Sequence, residues 1–145
     1  MITKKDITML SYNVLGCAIK VHKNLGPGLL ESIYEKCLKY ELERSGYDVK
    51  QHVLASIIYD DLCFDTELKL DLLVNDLICV ELKTVDEIKP VHRAQLLSYM
   101  RILQKPQGLL INFYTDNITK SAIPFSTHMK RFLKVYINQS ENIPR

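Results

Sequence analysis

Between Lys69 and Lys83 the chain reads Lys69-Leu70-Asp71-Leu72-Leu73-Val74, a short turn, then Ile78-Cys79-Val80-Glu81-Leu82-Lys83. This stretch constrains the fold more than any other. Leu70, Leu72 and Val74 alternate along one strand, and Ile78, Val80 and Leu82 alternate along the next. Shifting strand pairing by one residue turns every side chain to the opposite face, so burying both apolar sets together leaves few registers. A three-residue connection pairs Val74 with Ile78 and thereby sets Asp71 opposite Glu81. Residues directly opposite each other on antiparallel strands have Cβ atoms roughly 5 Å apart. Lys83 belongs to the same polar face.

Two carboxylates held that close repel unless one is protonated or a cation lies between them. Magnesium prefers oxygen ligands in octahedral geometry, commonly one or two carboxylates completed by water and phosphate oxygens. The Leu82 backbone carbonyl is a further candidate ligand, and a lysine beside such a site can orient water and stabilise charge on a phosphate. A surface hairpin with a cross-strand Glu–Lys pair has the same residues, and the hairpin alone leaves both readings open.

The surrounding pattern is mixed α/β. Thr3 and Asp6 have capping-box spacing and open a helix over residues 4–24. Gly26-Pro27-Gly28 forces a turn before a second helix over 30–45, which Gly46 stops. The apolar arc of that helix holds Ile33, Tyr34, Cys37, Leu38 and Leu42, and Glu31 and Glu41 also project into it, where an acid needs a partner, a metal or water. Strands follow over 49–59, 67–74 and 77–85, with turns at Asp60-Asp61 and Asn75-Asp76. A third helix is expected over 91–104, behind Pro90, and an apolar central strand over 109–114. Residues 115–125 suit a turn and an edge strand, and Thr127 suits the cap of a last helix reaching 138. The order describes one domain over 1–145, a central mixed sheet flanked by helices.

These residues resemble the PD-(D/E)XK nuclease superfamily. Asp71 followed by Glu81-Leu82-Lys83 is similar to its D…ExK core, and Gly28-Leu29-Leu30-Glu31-Ser32-Ile33-Tyr34 matches the motif that names the bacterial GxxExxY family. Val21-His22, Glu41-Leu42, Gln51, Pro90-Val91-His92, Ala94 to Tyr99 and Gly108 to Phe113 extend the resemblance in order over residues 7–114. Beyond Phe113 it lapses, since Ile118 to Phe125 carries neither the glycine nor the basic pair of that pattern.

The resemblance implies a restriction-endonuclease-like core and a phosphodiesterase dependent on Mg²⁺ or Mn²⁺, acting on nucleic acid, DNA before RNA. Asp71, Glu81 and the Leu82 carbonyl would hold the metal, with Glu31 resembling the helix glutamate that many superfamily members add. Lys83 would assist the water. Gln95 and Tyr99 resemble the QxxxY motif of RecB-type exonucleases and share one helix face with His92. Lys69 suits either a phosphate contact or solvent. Two other readings stand beside this one: a non-catalytic module that keeps the fold, and a hydrolase of small phosphoesters.

Composition narrows the classes. A hydrophobic fraction of 47% with 25% charged residues is globular, and a net charge of +2 supplies no polybasic arm. Cys17, Cys37, Cys63 and Cys79 lack the paired spacing of a zinc site and read as reduced, mostly buried thiols of a cytoplasmic protein. Lys4-Lys5 ahead of Val14-Leu15-Gly16-Cys17 looks like a lipoprotein signal, but Ser11, Tyr12 and Asn13 interrupt it, and the spacing of Ile7, Leu10, Val14, Ala18 and Val21 is that of a core helix. No other run approaches the length of a membrane span.

Overall fold

The computed structural model describes residues 1–126, so the helix expected from Thr127 lies outside the described residues. The elements run α1 (Lys4–Leu25), α2 (Glu31–Arg44), β1 (Val49–Lys50), β2 (Val53–Tyr59), β3 (Leu62–Leu68), β4 (Leu72–Val74), β5 (Ile78–Lys83), α3 (Pro90–Leu103), β6 (Gln107–Asn112), α4 (Ile118–Ser121) and β7 (Ile123–Ser126). Five strands form a mixed sheet in the order β1-β4-β5-β6-β7, and β2 pairs with β3 in a separate hairpin. Among the described residues only β5 and β6 are parallel, joined through α3; the other neighbours in the sheet are antiparallel.

The sheet is covered on both faces. Leu72, Val74, Ile78, Val80 and Leu82 pack with Val14 and Ala18 of α1 and with Tyr34 and Leu38 of α2. Leu73, Cys79 and Leu110 pack on the other face with Leu96 and Met100 of α3. Burial from both sides explains why β5 and β6 are almost continuously apolar. Gly108 sits within β6 because α3 lies so close: a Cβ there would fall 2.6 Å from Met100 Sδ.

Helix ends follow the sequence. Thr3 and Asp6 complete a capping box on α1, and Gly46 takes a positive φ of 92° just past α2. Glu41, an acid on the apolar arc, is answered by Lys20 at 3.0 Å, which ties α2 to α1. Ile33, expected in that arc, is exposed.

The β region departs from expectation in three places. The strand expected over 49–59 is two strands in different sheets, broken where His52 adopts φ 53°. The strand expected over 67–74 is also two, because β3 begins already at Leu62 and the chain bends at residues 69–71. That bend sends Leu70 to the α3 face instead of joining Leu72 and Val74. Smaller shifts follow elsewhere: β5 ends at Lys83, β6 begins at Gln107, and residues 115–125 contain the short α4 before edge strand β7. Cys17 and Cys37 are half-buried and Cys79 is buried, but Cys63 is exposed on the hairpin. Among the described residues no helix is long and apolar enough to cross a membrane.

Candidate active site

Asn75 and Asp76 both adopt left-handed conformations, φ 51° and 56°, which suits the tight turn joining β4 to β5. The register is Val74 with Ile78, Leu73 with Cys79 and Leu72 with Val80. One step further, Asp71 lies beyond the end of β4 and faces Glu81. The Asp71 backbone N–H donates to Glu81 Oε1 at 3.0 Å. The Leu82 backbone N–H donates to Asp71 Oδ2 at 2.8 Å. Each carboxylate is therefore fixed by the opposite strand's backbone and leaves its second oxygen uncommitted by these bonds.

Glu81 is only 3% exposed, and Asp71 is half-buried. Burial pushes Asp71 up to about 7, against the lowering effect of the Leu82 N–H, with Glu35 and Glu31 raising it further. Burial also pushes Glu81 up to about 8, and the neighbouring charge of Asp71 adds to the shift. Lys83 Nζ lies 3.9 Å from Glu81 Oε2 and is itself largely covered. This is no surface hairpin: Glu81 is buried, and α3 packs on the same sheet through Leu96 and Met100 against Leu73 and Cys79.

Two helices deliver further groups. In α2, Tyr34 stacks on Phe113 with centroids 4.6 Å apart. Its hydroxyl donates to the Gly26 carbonyl and accepts from the Leu29 N–H. The tyrosine thus pins the Gly26–Gly28 turn, and Glu31 follows as the first residue of α2. Burial raises Glu31, and the Lys83 charge partly offsets it. In α3, Gln95 Nε2 donates to the Tyr99 hydroxyl at 3.0 Å. Burial first, then the charges of Glu81 and of Asp71, raise Tyr99, while the bond from Gln95 and one from the Lys69 backbone lower it. Gln95 is exposed and reaches the site through Tyr99. His92 caps the start of α3, accepting from the Lys89 N–H at 3.0 Å. Slight burial and then the charges of Lys83 and Lys89 lower it. Lys69 is exposed, while its backbone bonds to Tyr99.

Three residues here were not singled out for roles in the sequence. Glu35, one turn after Glu31, accepts from Gln51 Nε2 at 2.7 Å, and Gln51 in turn accepts from Lys39 at 3.1 Å. The i, i+4 spacing from Glu31 is a signal that could have found Glu35. Asn112, 6% exposed, donates to the Val85 carbonyl at 2.7 Å. It also accepts from the Val85 and Tyr114 N–H groups, holding the loop that leaves Lys83. Its mark in sequence is its place in the Gly108 to Phe113 run that carries the resemblance.

Among the described residues no three His, Cys, Asp or Glu side chains form a ready-made metal cluster. The donor set around Asp71 and Glu81 nevertheless fits a hard divalent cation. Two carboxylates and the Leu82 carbonyl offer oxygen, and water and phosphate oxygens commonly complete such a shell.

The match to known proteins follows this geometry. The family model of the PD-(D/E)XK nuclease superfamily matches residues 8–124, and the chain belongs to that superfamily. Its nucleases generally use divalent metal ions and act on nucleic acid. Among solved structures, the crystal structure of SSO0001 is similar with a TM-score of 0.52 at 17% sequence identity, covering 77% of this chain and 59% of that one. That likeness is one of fold, and this chain spans about three fifths of that protein's length. No curated protein matches the sequence.

Proposed function

We propose that this chain is a metal-dependent nuclease of the GxxExxY type, hydrolysing phosphodiester bonds of DNA or RNA in the cytoplasm. The observation that carries the reading is the pair of half-buried Asp71 and buried Glu81, cross-tied through backbone N–H groups, with Lys83 at 3.9 Å from Glu81. Two acids raised this far are costly in a fold that has no use for their charge.

In this reading Asp71, Glu81 and the Leu82 carbonyl hold Mg²⁺ or Mn²⁺, with Glu31 adding charge directly or through water. The cation, when bound, supplies Lewis acidity toward the phosphate and lowers the pKa of water. Lys83 orients the attacking water and compensates charge on the phosphate. Tyr99, positioned by Gln95, contacts the substrate beside the acids. Positioning plus electrostatic stabilisation is most of what phosphoryl chemistry requires from a protein.

The test is cleavage of labelled single- and double-stranded DNA and RNA by the purified protein with Mg²⁺ or Mn²⁺, with Glu81→Gln as control. Metal-dependent cleavage lost in Glu81→Gln supports the proposal. Cleavage that survives Glu81→Gln assigns the activity elsewhere. One observation favours a second reading, that of an accessory module keeping the fold: the same two bonds to backbone N–H groups also staple β4 to β5. Nucleic-acid binding without cleavage of any substrate supports it.

A further inference from the structure

The β2–β3 hairpin is the part of the molecule that the nuclease reading leaves unused. Its base is anchored: Val53, Ala55 and Leu68 are buried, with Val53 in the core beneath α3. Toward the tip exposure rises, to 44% for Phe64, 56% for Leu62 and 74% for Tyr59. The register pairs Ile57 with Phe64 and Tyr59 with Leu62, so these four side chains make one continuous apolar face. A two-stranded ribbon is marginal in water by itself, and large exposed apolar side chains mark an interaction surface; on the opposite face Leu54 and Ile58 are exposed too, but there they stand beside Asp65 and Glu67.

Charge says what the hairpin cannot touch. Residues 53–68 contain Asp60, Asp61, Asp65 and Glu67 and no lysine or arginine. A segment of that composition repels phosphate, so it is not a nucleic-acid clamp. It calls for an apolar partner with positive charge at its edge. This chain presents such a surface itself: a shallow patch on the first turns of α1 formed by Lys4, Lys5, Thr8, Met9 and Tyr12. Met9 and Tyr12 are well exposed, and the lining is almost wholly apolar apart from the two ammonium groups. Asp6, the acid nearest to them in sequence, is already held by Thr3 through the capping box.

We propose that the chain self-associates by seating the Ile57/Tyr59/Leu62/Phe64 face of one copy's hairpin on the Met9/Tyr12 patch of a second copy. Asp60 and Asp61 then stand against Lys4 and Lys5. Hairpin against hairpin is disfavoured, since it would bring like charges together. The acid pair Asp71–Glu81 takes no part, so self-association stands or falls independently of nuclease activity.

Sedimentation velocity on the full chain over a range of concentrations and salt tests the proposal. The expected result is concentration-dependent association that weakens roughly tenfold between low and high salt, as exposed ion pairs are screened. Tyr59→Ser/Leu62→Ser should abolish it while leaving the melting temperature within a few degrees. Lys4→Glu/Lys5→Glu should also abolish it, and so should Asp60→Asn/Asp61→Lys, where Asn tolerates the left-handed backbone of Asp60. Mixing the two charge-altered proteins should restore a complex. Carbodiimide coupling of mixed ¹⁴N and ¹⁵N chains should join Lys4 or Lys5 to Asp61 between chains. A monomer at every concentration overturns the proposal, as do failure of the mixture to associate and Lys4 or Lys5 cross-links that run only within one chain.

Discussion

Asp71 and Glu81 are held by each other's strands: the Asp71 N–H donates to Glu81 Oε1 at 3.0 Å, while the Leu82 N–H donates to Asp71 Oδ2 at 2.8 Å. Burial nevertheless outweighs these bonds and raises both acids, to about 7 and about 8. The folded state therefore holds protons more tightly than the unfolded chain, whose carboxyls titrate near 4. The stability this contributes is full below the unfolded pKa and is lost as pH rises through 7 to 8. Metal-free protein should melt several degrees lower at pH 9 than at pH 6, with Glu81→Gln showing a flatter profile. A melting series in chelator across that range checks the sign.

A divalent cation should reverse that loss. For ~10 mM Mg²⁺ and a dissociation constant of roughly 1 mM, a ligand binding only the folded state adds about 1.4 kcal/mol. In a domain of this size that is roughly 3–5 °C. Asp71→Asn should remove most of the shift, yet leave the metal-free protein at pH 8 no less stable. The asparagine carbonyl can still accept from Leu82, and one of two repelling charges is gone. Equal metal responses in both proteins would locate the cation elsewhere.

Gln95 is exposed and spends a hydrogen bond on Tyr99, whose hydroxyl is raised by burial and by the charges of Glu81 and Asp71. Surface substitutions away from packing features usually change stability by under about 0.5 kcal/mol. Gln95→Ala should do no more than that while lowering kcat/KM on a cleavable oligonucleotide roughly tenfold. Tyr99→Phe should act similarly, and the double variant should fall short of the product of the two effects. Multiplicative losses would mean that the two residues act separately.

How far the sequence could be read follows from where its information was local. The β4–β5 register was legible because alternating leucine and valine leave few ways to bury both strands and the three-residue turn picks the one that brings Asp71 to Glu81. The α1 cap, the stop at Gly46 and the start of α3 at Pro90 were legible for the same reason. β3 was hidden because Asp65 and Glu67 alternate with Phe64 and Thr66, a pattern that suits a solvent-facing hairpin and not a core strand. Leu70 misled because alternation assumes an unbroken strand, and the chain bends beside it. Glu35 was marked only by its i, i+4 spacing from Glu31, and the contacts of Gln51 and Asn112 join elements distant in sequence, which no local pattern encodes.

Packing of α3 on β6 sets the position of the Gln95–Tyr99 face. A Cβ on Gly108 would meet Met100 Sδ at 2.6 Å and the Leu96 methyls at 3.2 and 3.3 Å. The methionine end can swing away but the leucine has less room, so Gly108→Ala should cost about 1–3 kcal/mol by overpacking. Chemical denaturation measures this directly. Because α3 must lift to accommodate the methyl, cleavage should fall beyond what the fraction unfolded explains. A loss matching only the unfolded fraction would separate helix position from catalysis.

Glu35 offers a test of how charge on α2 tunes the acid pair. It is the first of the neighbouring carboxylates in raising Asp71, and Gln51 holds it from the other side at 2.7 Å. Replacing it by glutamine removes a negative charge while keeping a group that can still bond to Gln51. Asp71 should then ionise at lower pH, and the acid limb of Mg²⁺ binding, followed by the metal-induced rise in melting temperature, should move to lower pH with it. Gln51→Met leaves the charge in place but frees the Glu35 side chain, so its effect on that limb should be smaller than that of Glu35→Gln. An acid limb that stays in place in Glu35→Gln, with Asp71→Asn still abolishing the metal response, would show that burial alone sets the affinity of Asp71 for its proton.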